Sequence, residues 1–253
     1  MLAIISPSKT QDFSQCNIDV FSQTRQIESS NELIGILKNK SKSQISKLMS
    51  LSEKLSELNI DRFQKIKLPF TLDNAKQAIL AFKGDVYNGI NAPELSSEDL
   101  EFAQGKVRML SGLYGVVRPL DLIQPYRLEM GTKLSNAKGV DLYDYWGSEI
   151  SSVLNDDEPD LIINLASNEY FNAIDKRALL LDVVTPVFLE NKGGKSKIIS
   201  FFAKKARGAM ARFIIEHKVN TIDGLKDFDS GGYKFNKNDS TNDRIIFERN
   251  HSE

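Results

Sequence analysis

The stretch DLIINL, residues 160–165, predicts a central strand of a β-sheet. A second short apolar run, LAII at residues 2–5, ends at Ser6-Pro7 and predicts a buried strand followed by a loop. The β-branched apolar segment 179–189 is a further strand candidate. We therefore expect a central sheet that includes these segments.

Helical signals lie around these strands. From about 43 to 65, apolar residues recur at three- and four-residue steps amid good helix formers. At 73–82, Asp73 is the expected N-cap and Gly84 the expected terminator. The predicted helices are 22–39, 43–65, 73–82, 141–154 and 203–217.

The remaining segments complete the prediction. Residues 197–201 are another strand candidate, and 118–133, with two prolines and no clear period, predicts an ordered, extended loop. In the tail, a polar turn near 236–243 followed by DRIIFER at 243–249 predicts a closing hairpin. Since no repeat or linker interrupts the chain, we expect one mixed α/β (α+β) domain over residues 1–253, with a central mixed sheet flanked by helices.

Composition excludes several classes of protein. The 253 residues contain one Cys and two His, which excludes a disulfide framework and leaves little for a zinc, copper or haem site. His217 is expected in or beside the core, and His251 in a frayed terminus. With no export signal and no apolar run of about 20 residues, a cytoplasmic protein without membrane contact is expected. We predict no cofactor and no structural metal.

The balanced total of 33 basic and 34 acidic residues conceals segregation along the chain. Residues 139–175 contain nine acids and no Lys or Arg, whereas residues 191–213 contain seven bases and no acid. Solvated acidic faces are common, so the acidic stretch alone does not indicate a metal site. The order of the charges predicts a polarised surface, and the basic stretch is the expected site for a polyanion.

A helical projection of 203–217 separates an apolar side from a basic side that carries Lys204, Lys205, Arg207 and Arg212. Gly208 lies on the basic side, where glycine costs about 1 kcal/mol relative to alanine. One interpretation is that small residues between cations let a polyanion approach the backbone closely. The other is that Gly208 packs under a neighbouring element and that the charged face meets water.

Local motifs give little support to a known catalytic class. SPSKT at 6–10 follows a strand as a phosphate-binding loop does, but it lacks the glycine spacing of a Walker A loop. Two segments have a faint likeness to a helix–hairpin–helix. Residues 45–63 read as helix, short turn and helix, whereas 110–120 carries two glycines that also fit a plain tight turn.

The stiff polar loop 112–133 is the densest candidate site. It supplies Tyr114, Tyr126 and Glu129 to a candidate pocket that also includes Lys9, with Glu129 as a possible general acid or base. Lys9, Arg118, Arg127 and Lys204 could converge there into an electropositive pocket. Structural salt bridges between Arg127 and the neighbours of Glu129 are the open alternative.

The chain resembles a known family, the bacterial YaaA peroxide-stress proteins. The resemblance is carried by long blocks spread over most of the sequence: IISPSKT at 4–10, FKGDVYNGI at 82–90, LSGLYGVVRPLDLIQPYRLEMGTKL at 110–134, LYDYWGSEI at 142–150, NLASNEYF at 164–171 and SFFAKKARGAMARFII at 200–215.

The resemblance implies a cytosolic stress protein of unusual topology that limits oxidative damage and lowers free intracellular iron. It also implies DNA binding through a positively charged cleft and a helix–hairpin–helix-like element. Because two His and one Cys cannot make a usual ferrous or cluster site, any effect on iron is expected to be indirect.

Two hypotheses about function follow. The first is DNA binding largely without sequence specificity. The second is an enzyme that acts on a nucleobase or nucleotide in a pocket formed by loop 112–133 and Lys9, although no recognised catalytic motif supports it. The residues assigned to DNA binding are Lys195, Lys197, Lys204, Lys205, Arg207, Arg212, Arg118, Arg127 and Lys133.

Overall fold

The computed structural model describes residues 1–250, so the predicted frayed end at His251 lies outside the described residues. Within that range the chain forms twelve strands, eight of which make one mixed sheet. The strands are β1 (Leu2–Ile5), β2 (Thr10–Gln11), β3 (Lys76–Gln77), β4 (Phe82–Lys83), β5 (Val107–Ser111), β6 (Gly115–Val117), β7 (Leu122–Ile123), β8 (Leu161–Leu165), β9 (Asp182–Lys192), β10 (Lys195–Lys197), β11 (Lys234–Asn236) and β12 (Arg244–Asn250).

Eleven α-helices and two short 3-10 segments accompany the strands in residues 1–250. The 3-10 segments are Ala92–Glu94 and Ser230–Gly232. The helices are α1 (Ile27–Lys38), α2 (Lys42–Met49), α3 (Glu53–Lys65), α4 (Ala78–Ala81), α5 (Asp85–Ile90), α6 (Ser97–Lys106), α7 (Leu142–Trp146), α8 (Glu149–Asn155), α9 (Asn168–Phe171), α10 (Ser200–Glu216) and α11 (Ile222–Leu225).

The main sheet has the strand order β11-β12-β9-β8-β1-β5-β6, and β10 pairs with β9 beside this path. The central strands β9, β8, β1 and β5 are parallel to one another, whereas hairpins close the two edges. The strand predicted from DLIINL is β8, and it lies at the middle of the order. The predicted mixed α/β fold with a central mixed sheet is confirmed.

Burial explains why the central strands are continuous apolar runs. All four residues of β1 are buried, as expected of a central strand in a parallel sheet. β9, by contrast, alternates between buried and half-buried residues, as expected of a strand with one more open face. Residues 2–5 and 162–165 are therefore part of the hydrophobic core.

Side-chain caps set the start of several helices. Ser41 begins α2 and Ser96 begins α6, each with a capping box in which the side chain three residues later bonds back to the cap. Ser52 caps α3, and Asp141 accepts from the Asp144 backbone to cap α7. Such caps each contribute about 1 kcal/mol.

Two predicted helices are each broken in two. The helix predicted over 43–65 is α2 and α3, separated where Ser50 takes a left-handed conformation and Ser52 starts a new cap. The helix predicted over 141–154 is α7 and α8, because Gly147 has a positive φ of 47°.

Two further predictions assign the wrong type of secondary structure to much of their segment. Over 73–82, a turn closed by Asn74 replaces the Asp73 cap, residues 76–77 pair with β7, and only α4 is helical. Over 197–201, β10 ends at Lys197, and Phe201 already lies in the first turn of α10. In both segments, pairing and packing with distant parts of the chain override the local propensity.

The tail behaves as predicted. β11 and β12 form an antiparallel hairpin, and β12 pairs in parallel with β9 over seven residue pairs.

His217 is exposed beside the Phe213 ring rather than in the core. Across residues 1–250, no helix combines the length and apolar character that a membrane span requires.

Candidate functional site

The topology creates a crevice between two neighbouring strands. From β1 the chain continues to β5 on one side, whereas from β8 it continues to β9 on the other side. Ligands of open parallel sheets bind in such crevices, outside the carboxyl ends of the strands where the direction of winding reverses. The residues that follow β1 and β8 are therefore expected to line a ligand site.

A pocket of about 420 Å³ opens at this position. Its floor is formed by Ser6, which follows β1, and Ser167, which follows β8. The two residues are joined by hydrogen bonds: the Ser6 hydroxyl donates to Ser167 Oγ at 3.2 Å and accepts from the Ser167 amide at 2.9 Å. We call it the switch-point pocket, and its lining residues are Ser6, Pro7, Ser8, Lys9, Lys83, Gly84, Asp85, Val86, Tyr87, Leu165, Ser167, Glu169, Tyr170, Lys204 and Arg207.

Helix α10 supplies the pocket with Lys204 and Arg207. Lys204 is exposed, whereas Arg207 is half-buried, and this burial lowers the pKa of its guanidinium. Within residues 1–250, neither side chain has a carboxylate partner. A partly desolvated cation without a counter-charge favours binding of an anion.

The position of Arg207 is fixed by a backbone contact next to it. A Cβ on Gly208 would lie 2.0 Å from the Val86 carbonyl oxygen, and a Cβ on Gly89 would lie 2.8 Å from the Ala209 amide nitrogen. Helices α5 and α10 therefore touch backbone to backbone. The interpretation that Gly208 lets a polyanion approach is wrong, and the alternative that it packs under a neighbour is confirmed.

A smaller cavity of about 10 Å³ adjoins the switch-point pocket and shares Lys9 with it. Lys9, Tyr126, Arg127 and Glu129 all line it. The Lys9 ammonium lies 2.5 Å from one Glu129 oxygen, and the Arg127 guanidinium lies 3.5 Å from the other. Lys9 and Arg127 are therefore both paired with Glu129 itself, rather than Arg127 with the neighbours of Glu129, and these pairs lie inside this cavity.

Tyr126 and Arg127 are held differently in this cavity. Burial raises the pKa of the Tyr126 hydroxyl, which shares a 2.7 Å hydrogen bond with Ser111. The Nε atom of Arg127 is buried without a hydrogen-bond partner among the described residues. Tyr126 is therefore a neutral group at neutral pH, whereas Arg127 retains hydrogen-bonding capacity.

A third, more open pocket continues from this cavity through the shared residue Gln11. It reaches the end of α3, where Arg62, Lys65 and Lys67 line it. Burial lowers the pKa of Arg62, and the nearby Arg127 lowers it further. We call the three pockets together the cationic cleft. Its charged residues are eight bases, Lys9, Arg62, Lys65, Lys67, Lys83, Arg127, Lys204 and Arg207, and four acids, Asp61, Asp85, Glu129 and Glu169.

Three lysines assigned to DNA binding are exposed and do not line the cleft. Lys195 and Lys197 are exposed on β10, which leads into α10. Lys205 is exposed on α10, with its ammonium 4.4 Å from the ring centroid of Phe201. These residues continue the positive charge of Lys204 along the chain toward the β9–β10 hairpin.

Four other candidates do not line the cleft. Arg212 is paired with Glu216 and bonds the Ile90 carbonyl, so it fastens α10 to α5. Lys133 is paired with Asp141 at 2.6 Å. The Tyr114 ring is fully buried, and its hydroxyl bonds to Gln124.

Arg118 is the fourth of these candidates. It follows β6, which runs back toward the amino end of β5, so it lies at the side of the sheet opposite to the switch-point pocket. There it pairs with the buried Asp121 at 2.9 Å. Arg118 therefore does not join Lys9, Arg127 and Lys204 in the expected electropositive pocket.

The two segments compared with a helix–hairpin–helix differ. Residues 110–120 form the β5–β6 hairpin, so the tight-turn interpretation is the right one. Residues 45–63 do form two helices, α2 and α3, joined by a short turn. The carboxyl end of α3 carries Arg62 and Lys65 into the cationic cleft.

Five of the nine acids in the acidic stretch form ion pairs: Asp141, Glu149, Asp157, Asp160 and Asp175. Asp157 binds Arg108 at 2.7 Å and Arg25 at 2.8 Å, and Glu149 pairs with Lys138 at 3.5 Å. Among residues 1–250, His, Cys, Asp and Glu side chains form no cluster of three or more suited to a metal ion.

Several residues of the site were missed in the sequence. Ser167 lies two residues after the predicted central strand, so the rule for carboxyl ends of strands could have found it. Lys83 stands beside Gly84 in FKGDVYNGI, but nothing local indicated that it lines a pocket together with residues of α10. Arg62 and Lys65 read as the ordinary solvent face of a helix.

Comparison with known families accords with the resemblance of the sequence. The model of a family described as peroxide stress protein YaaA matches residues 1–239, which is most of the chain. That match includes every residue of the cationic cleft. The chain therefore belongs to the YaaA family of peroxide stress proteins.

Proposed function

We propose that this peroxide stress protein binds DNA in the cationic cleft, largely without reading sequence, and thereby limits oxidative damage to it. One observation carries the proposal: Lys204 and Arg207 line a pocket without a carboxylate partner in residues 1–250. Phosphate groups are the anions that such Lys and Arg side chains bind in nucleic acids.

The arrangement of charge supports a backbone contact rather than base readout. The eight bases of the cleft come from the β1 loop, α3, the α4–α5 region, the loop 112–133 and α10, so they follow a path rather than a single point. Exposed Lys195 and Lys197 precede α10 in the chain and add positive charge outside the cleft. A path of cations neutralises successive phosphates, and this contribution carries no sequence information.

The test is duplex DNA binding measured by fluorescence anisotropy across a salt series. The logarithm of the affinity should fall with the logarithm of salt by about 0.9 per phosphate contacted. Replacing Lys204, Lys205 and Arg207 together by Ala should weaken binding and flatten this slope. The matched control replaces Lys176, Arg177 and Lys237, which are exposed elsewhere.

The control variant should bind as the unchanged protein does. Absence of binding at low salt, or equal losses in the two triple variants, would contradict the proposal. A short duplex and a single strand of the same length should be compared, because the cleft does not by itself select between them.

A second candidate function is an enzyme that acts on a nucleobase or nucleotide. It is favoured by the grouping of Lys9, Tyr126, Arg127 and Glu129 around one cavity that opens beside the switch-point pocket. Base chemistry on DNA needs the target unstacked into a pocket, and the adjoining switch-point pocket of about 420 Å³, rather than the small cavity, has room for a base. The test is incubation with oxidised-base oligonucleotides and mass analysis of the product, with Glu129→Gln as the variant that should lose activity.

We further propose that any lowering of free iron by this protein is indirect. The proposal is supported by the composition, which offers one Cys and two His as soft or imidazole ligands. Tight, stoichiometric Fe²⁺ binding by the purified protein, measured anaerobically, would contradict it.

A further inference from the structure

We propose that the switch-point pocket is a site for a terminal phosphate, carried by a free nucleotide or by the end of a DNA strand. This inference rests on the proposed function only in that the same cleft binds nucleic acid. It adds a second kind of ligand: a phosphomonoester at the bottom of the pocket, distinct from the backbone diesters along the rim.

The first argument is the depth of Arg207. Unlike the exposed Lys204 and Lys205, Arg207 is half-buried against α5 and points its charge into the pocket lining. A guanidinium offers a planar fork of donors that matches phosphate geometry. A terminal phosphate carries about 1.5 to 2 negative charges at pH 7, whereas a backbone phosphate carries a single charge, so a partly desolvated cation favours the terminal group.

The second argument is the supply of donors around Arg207. Lys9, Lys83 and Lys204 line the same pocket. Lys9 is paired with Glu129 at 2.5 Å and Lys83 with Asp12 at 3.6 Å, whereas Lys204 and Arg207 have no carboxylate partner among residues 1–250. Two unpaired cations are therefore available to a ligand in this pocket.

Hydroxyl groups complete this set of donors. The Ser6 hydroxyl donates to Ser167, so the Ser167 hydroxyl proton is available to a ligand. The Ser8 hydroxyl accepts from the Thr10 amide at 3.2 Å and likewise keeps its proton for donation. Cations and hydroxyls that face one volume form a site for a phosphate group.

The third argument is size. Pockets for small ligands measure about 300–1,000 Å³, and the switch-point pocket has about 420 Å³. This is more than a bare phosphate fills, and the buried Tyr87 and Tyr170 supply apolar walls. The pocket therefore fits a phosphate together with the sugar, and part of a base, of one nucleotide.

The experiment compares ligands that differ by the terminal phosphate alone. Calorimetric titration with dAMP and with deoxyadenosine tests the free nucleotide. Anisotropy with a short duplex bearing a 5′-phosphate, against the same duplex bearing a 5′-hydroxyl, tests the strand end. A preference of at least about tenfold for the phosphorylated ligand in either pair is expected, since charge-assisted hydrogen bonds of this kind are the strong ones.

Variants locate the site. Arg207→Gln should lower the affinity for the phosphorylated ligand about tenfold, and Lys204→Gln should lower it several-fold. Lys205→Gln is the matched control on the same helix, and it should leave this affinity within about twofold. Because Lys204 is exposed, its variant tests the site even where Arg207→Gln fails to fold.

The outcomes separate this inference from the DNA-binding proposal. Equal affinity for the phosphorylated and unphosphorylated members of both pairs would overturn the terminal-phosphate site. Binding to closed circular duplex, which has no ends, reports on the backbone path alone. A protein that binds the circle but does not prefer terminal phosphates would refute this inference and leave the proposed function standing. A protein that prefers terminal phosphates but does not bind the circle would refute the proposed function and leave this inference standing.

Discussion

Gly208 of α10 lies so close to Val86 of α5 that a Cβ on the glycine would meet the Val86 carbonyl oxygen at 2.0 Å. This contact joins the two helices that wall the switch-point pocket. It also sets the depth at which the neighbouring Arg207 faces the pocket. The packing of two backbones thus determines where a charged side chain lies.

Gly208→Ala is expected to lower the free energy of unfolding by at least about 1 kcal/mol. Overpacking a tight contact costs about 1–3 kcal/mol. Because the clash at this position is severe, we expect this cost to exceed the gain of about 1 kcal/mol in helix propensity from glycine to alanine. Gly35→Ala is the control: it lies in α1, where a Cβ would meet nothing within 4 Å. That variant should be neutral or stabilising by up to about 1 kcal/mol. Urea denaturation of both variants checks the prediction, and equal effects would contradict it.

Asp157→Asn is expected to destabilise the fold by about 3–5 kcal/mol. Asp157 pairs with Arg108, whose side chain is 5% exposed, and with Arg25, so its loss leaves a buried guanidinium without a counter-charge. The neighbouring Asp156 is exposed, and Asp156→Asn serves as the control. Chemical denaturation at neutral pH measures the difference between the two variants.

The same pair predicts a dependence of stability on pH. Burial would raise the pKa of Asp157, but hydrogen bonds from Arg108 and Arg25 outweigh it and lower the pKa. The contribution is therefore fully present above the unfolded pKa of about 3.9 and is lost as pH falls through the lower folded value. Unfolding free energies measured between about pH 2 and 5 should fall more steeply in the unchanged protein than in Asp157→Asn.

Glu129→Gln is expected to raise the affinity for duplex DNA at low salt several-fold. The carboxylate of Glu129 neutralises Lys9 and Arg127 in the cleft, so its removal leaves both cations for phosphate. The salt slope should steepen by about 0.9 for each phosphate gained. Glu101→Gln, at an exposed position on α6, is the control. An unchanged or weaker affinity in Glu129→Gln would show that the cleft does not hold the backbone.

Phe201→Ala is expected to weaken binding of single-stranded DNA more than of duplex DNA. The Phe201 ring is 49% exposed at the start of α10, with the Lys205 ammonium over it. An exposed ring beside a cationic path can stack an unpaired base, a contact worth about 1–3 kcal/mol. Phe21→Ala removes an exposed ring elsewhere and should have no effect on either ligand. Equal losses for single and double strands would contradict the stacking role.

Elements that neighbouring residues determine were predictable from the sequence, whereas elements that distant contacts determine were not. DLIINL identified the central strand, and the tail hairpin was predictable from its turn residues, because neighbours in sequence determine both. The helix over 73–82 was wrong because Lys76 and Gln77 pair with residues more than forty positions away. The role of Gly208 was equally hidden, since its contact lies on another helix.

The candidate site was predictable only in part for the same reason. The basic residues of 204–207 stood out as a run, and two of them, Lys204 and Arg207, line a pocket. Nothing in the local pattern indicated that Arg118 pairs with Asp121 on the other side of the sheet. The floor of the pocket depends on strand order, which no single segment encodes.

The hydrogen bonds between Ser6 and Ser167 span 161 positions of the chain. Strand β1 is synthesised first, but its partners β5 and β8 follow about 100 and more than 150 residues later. Such distant pairings are slow to form. The pocket therefore comes into existence late, and a ligand that binds there acts on the finished protein alone, raising the stability of the whole fold.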